Sequence, residues 1–152
     1  MRRIIYQRTD GRIWIATPAL NIDDPPDFTE ADAERRAWNK LPADATNARF
    51  IEATEIPVDR YFRDALRLDL TTDMVKAREI HRENLRRLRQ PKLEALDVEY
   101  QRADEQGDTA LKAKIAVKKQ ALRDVTADPE IETATTPDEL KAVMPAALKV
   151  VV

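Results

Sequence analysis

The side chains able to do chemistry in this sequence are few in kind. His81 is the sole histidine, and it alone would titrate near neutrality without help from its surroundings. Glu79 and Glu83 lie beside it, so a carboxylate could orient the ring for proton transfer. A general base needs something to activate, however, and the chain contains neither cysteine nor serine. A packing or surface histidine is therefore expected. The same counts exclude disulfides, thiolate metal sites and two-histidine zinc motifs. Gly11 and Gly107 are the only glycines, which excludes the phosphate-binding P-loop and the glycine-rich dinucleotide fingerprint. Asp23, Asp24 and Asp27 form the densest carboxylate cluster, but without the glycine and distal glutamate of a calcium loop. Pro25-Pro26 would also hold these side chains apart, so a solvated loop is expected. No catalytic, cofactor-binding or metal-ligating residue is read, and a non-enzymatic protein is expected.

Charge carries more information. The 152 residues hold 26 cations and 28 acids, leaving a net charge of −2, and these charges are sorted along the chain. Residues 76–92 carry seven cations (Lys76, Arg78, Arg82, Arg86, Arg87, Arg89, Lys92) against two acids, a net +5. Residues 94–108 carry six acids against Arg102, a net −5, and residues 109–123 carry five cations and no acid. An acidic helix between two basic ones suits antiparallel packing, in which each neighbour presents the opposite sign. The basic stretch could also meet phosphates, but no aromatic interleaves it for base stacking. A solvated or partner-facing surface is the preferred reading of these arginines.

The elements that must position these residues fall into two textures. Over residues 1–71 a small ββαββ domain is expected. Ile4–Tyr6 and Ile13–Ile15 would be strands joined by a two-residue turn at Asp10-Gly11. A helix would begin near Thr29 and end before Pro42, with further strands at Ala48–Ala53 and Leu66–Leu70. Tyr6, Trp14 and Phe50 are expected to line the sheet's core. Residues 72–145 read as helical: a helix to about Arg89, a break or kink at Pro91, and a second helix to Glu105. A turn at Gly107-Asp108 and a third helix over Thr109–Val125 complete a hairpin, with Leu111, Ile115, Leu122, Ala113, Val117 and Ala121 on its inner side. Thr136-Pro137-Asp138-Glu139 opens a short helix to Val143. Residues 146–152 read as an apolar, β-prone tail in which Val150 and Val151 could add a strand to a sheet edge. The fold class is α+β.

Several runs bear a resemblance that the patterning does not supply. RRIIYQRTDGRIWIATPA, IPVDRYFRDA, DMVKAREIHRENLRRLRQPKLEALDVEYQRADEQGD, KKQALRDVTADPEI and TPDELKAVMP resemble small accessory proteins of tailed bacteriophages and prophages. The segment from Lys119 to Val125 and its proline-containing sequel is similar to the C-terminal end of tail-fibre assembly and tail-assembly chaperone proteins. Those proteins commonly carry tryptophan before proline, where this chain has Met144-Pro145. The resemblance implies a phage setting and contact with other virion proteins of the tail or tail fibre.

Together these readings give a non-enzymatic assembly factor or minor tail component, located in the virion or host cytoplasm. Two alternatives are a decoration or connector protein retained in the particle, and a nucleic-acid-binding accessory using residues 76–92. Partner contact would fall to Leu85, Leu88, Leu93, Leu96, Tyr100, Leu111, Ile115 and Leu122, with Arg86, Arg87, Val150 and Val151 beside them. These apolar residues could equally close an intramolecular hairpin. A homo-oligomer is expected. No stretch approaches the roughly 20 apolar residues of a membrane span.

Overall fold

The computed structural model describes residues 1–149, and its chain divides into two units, Met1–Asp73 and Met74–Val152. The first unit holds strands β1 (Arg3–Gln7), β2 (Ile13–Ala16) and β3 (Thr46–Ile51), with helix α1 (Glu30–Asn39) between β2 and β3. β1 is central and antiparallel to both neighbours. Ile4 pairs with Ala16 and Phe50, and Ile5 with Ile15 and Arg49, so both isoleucines are fully buried.

The hairpin turn differs by one residue from the two-residue reading. Arg8 N–H donates to Arg12 O at 3.0 Å and Gly11 N–H to Arg8 O at 2.9 Å, leaving Thr9, Asp10 and Gly11 in the loop. Gly11 sits at φ +78°, the left-handed position that closes a three-residue hairpin loop. On β3, Asn47 takes φ +54° where the register with β1 shifts, which marks a bulge. Thr29 opens α1 with a capping box: its hydroxyl accepts from Asp32 N–H, and the Asp32 carboxylate accepts from Thr29 N–H.

The expected strand at Leu66–Leu70 does not form, so this unit is ββαβ followed by turns. Arg67 N–H donates to Thr71 O at 2.8 Å, and Leu66 and Thr72 make a single bridge. Asp69 Oδ1 accepts from both the N–H and hydroxyl of Thr71, and Leu70 adopts φ +67°. An aspartate-centred turn has captured the backbone groups a strand would need. Trp14 also departs from expectation: it is 42% exposed, with the Arg8 guanidinium 5.8 Å from its ring centre. Phe50 is half-buried and stacks on Trp38 at 5.0 Å, while Tyr6 is buried as expected.

The second unit is a helical hairpin with a folded-back end. Helix α2 (Met74–Glu105) runs 32 residues and continues through Pro91 without a break. An interior proline costs about 3 kcal/mol or more through its missing N–H and ring clash. Burial on both sides of the proline opposes that cost, since Leu85 before it and Leu96 after it are both buried. Helix α3 (Thr109–Asp124) packs along α2. Between them Gly107, at φ +69°, ends α2: its N–H donates to Asp104 O, and Asp108 N–H reaches Ala103 O at 2.9 Å. Asp108 then caps α3 by accepting from Leu111 N–H at 2.9 Å.

After α3 come a 3-10 turn (Val125–Ala127) and three short helices, α4 (Glu130–Thr133), α5 (Pro137–Ala142) and α6 (Ala146–Lys149). They bring Val125, Ile131, Leu140, Val143 and Leu148 into the unit's core, with α5 against α2 and α6 against α3. Residues 146–149 of the expected β-prone tail form a helical turn with Leu148 buried, because apolar helix surface lies within reach and no strand edge is needed. Val150 and Val151 lie outside the described residues.

Candidate protein-binding surface

The seam between α2 and α3 is built from residues a heptad or less apart. Leu96 and Ala103 on α2 and Ile115 and Leu122 on α3 are each at most 3% exposed. Leu85 belongs to the same buried set. These positions recur at near-whole numbers of helical turns, so one face of each helix stays on its neighbour. Ala113, Val117 and Ala121, expected on the inner side of α3, are exposed instead, and Val117 is 71% exposed. Ile115 and Leu122 fix the inner face, and seven-residue spacing from them excludes the other three.

Opposite charges meet across this seam. Lys112 pairs with Asp104 and Lys119 with Asp97. Both ammonium groups also lie 5.4 Å from the centre of the half-buried Tyr100 ring, a cation–π arrangement. The pairing brings the acidic end of α2 onto basic α3, the packing the charge pattern suggests.

The basic half of α2 is largely consumed within the chain. Arg78 donates to the carbonyls of Ile131, Glu132 and Ala134 at 3.0–3.2 Å. Arg82 pairs with the Glu132 carboxylate, and Arg89 donates to Arg123 O at 2.7 Å. Arg123 O is one of the carbonyls left open at the end of α3, so Arg89 closes a helix terminus. These arginines staple the C-terminal segment to α2. Their spacing gave no sign of it, because the carbonyls that Arg78 and Arg89 reach lie 34 to 56 residues away and the Glu132 carboxylate that pairs with Arg82 lies 50 residues away.

His81 is 1% exposed, and its Nε2 lies 3.0 Å from Val143 O. Burial, the largest effect, holds its pKa below the ordinary histidine value against this hydrogen bond, and the Arg82 charge adds to the lowering. A neutral ring donating from Nε2 follows. Asp24 of the acidic loop accepts from Asn21 N–H at 2.7 Å and pairs with Arg36, so that carboxylate is held by the fold. Among the described residues no group of three histidine, cysteine or acidic side chains is placed to hold a metal ion. Glu34, unremarked in the sequence, is 7% exposed and accepts from both the backbone N–H and the guanidinium of Arg2 at 2.6–3.1 Å.

Of the residues read as partner-binding, Leu85, Leu96, Ile115 and Leu122 therefore lie in the unit's own core, and Leu93 and Tyr100 are half-buried. Leu88 and Leu111 are 48% and 39% exposed, and Arg86 and Arg87 donate to Glu83 and Asn84 one turn back on the same helix. Leu88 continues into Pro91, Ala95 and Val98, all exposed, at a 3-4-3 spacing that puts them on one face of α2. This outward strip lies apart from the buried seam. No protein-family model matches the sequence, and no curated protein or solved structure shows significant similarity to it. No helix is long and apolar enough to cross a membrane among the described residues.

Proposed function

We propose that this chain is a non-enzymatic protein of tailed bacteriophages that works by binding other virion proteins, as a tail or tail-fibre assembly factor or minor tail component. The observation that carries the reading is the apolar strip Leu88, Pro91, Ala95 and Val98, held outward on a hairpin whose core is already filled. Exposed apolar side chains lined up on one helix face offer a surface that another protein can cover. The setting rests on the sequence resemblance, and virion or host cytoplasm is the corresponding location.

Protein contact is favoured over the nucleic-acid reading because Arg78, Arg82 and Arg89 are engaged with backbone carbonyls or Glu132. A phosphate surface would need those cations turned outward. Mass spectrometry of purified particles tests the role. Fixed stoichiometry in virions supports a tail component or a retained decoration or connector protein, and expression during infection without incorporation supports an assembly factor. Cross-linking in infected cells that recovers no virion protein would overturn the reading. A low-salt shift assay in which tight DNA binding is abolished by Arg86→Ala with Arg87→Ala would replace it with nucleic-acid binding.

A further inference from the structure

We propose that the outward strip of α2 pairs with the same strip of a second copy of this chain, the two helices antiparallel and related by a two-fold axis that crosses the strip at the level of Leu93, whose own side chain lies on the other side of the helix. The strip is symmetric about that residue. Leu88 lies five positions before it and Val98 five after, while Pro91 and Ala95 lie two positions to either side. A two-fold axis at this level therefore sets Leu88 of one copy against Val98 of the other, and Pro91 against Ala95. Such self-complementarity is what a closed dimer interface requires. The larger side chains stand at the ends and the smaller in the middle, so the helices can approach to about 8–10 Å between axes.

Charge selects the direction. Flanking the strip, the half of α2 before Leu93 carries Arg87 and Lys92 and the half after it carries Glu94 and Glu99. The axis sets Arg87 against Glu99 and Lys92 against Glu94, while Arg102 beyond the strip meets the uncharged Asn84. Antiparallel pairing lays each basic half on the acidic half of the copy, whereas parallel pairing stacks like on like. The other exposed apolar line, Ala113, Val117 and Ala121 on α3, offers no such match. Residues 109–123 carry five cations and no acid, so two copies would repel there. The strip is about 15 Å long, at 1.5 Å per helical residue, which is small for a protein interface and places the dimer in the weak, reversible class. The pairing rests on the protein-binding reading and names one partner for it; its test uses the purified chain alone, so its failure leaves contact with virion proteins standing.

The full chain at up to about 100 µM, a concentration suited to weak association, is examined by sedimentation velocity. The expected result is a concentration-dependent shift toward twice the monomer mass that diminishes in high salt. Ala95→Glu, at an exposed position and with a good helix former, should retain the circular dichroism spectrum and abolish the shift. The absence of native cysteine permits a second arm. Leu88→Cys combined with Val98→Cys, oxidised with copper phenanthroline, should give a covalent dimer that neither single variant gives. The two positions lie about 15 Å apart on one helix, too far for a bridge within a copy. A chain that stays monomeric throughout would overturn the proposal. Leu88→Cys alone cross-linking as well as the double variant would overturn the antiparallel register.

Discussion

The imidazole of His81 donates to the carbonyl of Val143 at 3.0 Å, tying α2 to the end of α5 by a bond buried in the core of the helical unit. Because the folded ring has a lowered pKa, the unfolded chain binds the proton more readily. The hydrogen bond favours the charged ring, so this stability comes instead from burying the ring in its neutral form. It is fully present above the unfolded value of about 6.5 and is lost as pH falls from there through the folded pKa. Denaturant melts followed by circular dichroism between about pH 5 and 8, the range in which histidine titrates, should show this loss. His81→Gln should flatten the slope, and an unchanged slope would exclude His81 as its source.

Leu96 and Leu88 lie eight residues apart on α2 but differ in burial, at 1% and 48% exposed. Leu96→Ala should cost about 2–5 kcal/mol, as core leucines do. Leu88→Ala should cost less than about 1 kcal/mol, half of the side chain being already in water. Both tryptophans, Trp14 and Trp38, lie in the first unit, so their fluorescence reports that unit while helical circular dichroism reports chiefly the second. Equal costs for the two substitutions would contradict the burial pattern.

At Gly107 a Cβ would meet nothing within 4 Å, so the penalty of Gly107→Ala comes from φ +69° alone. A left-handed residue with a Cβ costs about 1–2 kcal/mol. Gly107→Asn should cost less than Gly107→Ala, since asparagine tolerates this conformation. Chemical melts of the two variants check the order.

Glu34 is held below the ordinary carboxylate range, first by its hydrogen bond to the Arg2 side chain and then by the Arg2 N–H. Its contribution is present above the unfolded pKa and is lost as pH falls through the lower folded value. Acid should therefore weaken the sheet unit, and Arg2→Ala should move the acid transition seen by tryptophan fluorescence to higher pH. A transition that stays in place would show that this pair does not govern it.

Much of the architecture could be read from local signals. Thr29 with Asp32 and Thr136 with Glu139 form capping boxes, and Gly11 and Gly107 stand at reversals, because each signal acts within a few residues. The α+β class and the helical hairpin follow from them. At the candidate surface the apolar spacing marked Leu88 together with Leu85 and Leu96, and it could not tell the exposed leucine from the two that the fold buries. Local reasoning failed where competing groups were near in energy. The alternation at Leu66–Leu70 suits a strand, yet Asp69 bonding to Thr71 takes the backbone into a turn. Pro91 should interrupt a helix, yet burial of Leu85 and Leu96 on either side carries α2 through it. Arg78, Arg82 and Arg89 looked like one charged face and are instead staples to carbonyls and to Glu132, and nothing local marks Glu34 as the partner of Arg2. Their roles were decided only in the tertiary structure, because a cation binds whichever acceptor the folded chain delivers to it, and that choice depends on residues dozens of positions away.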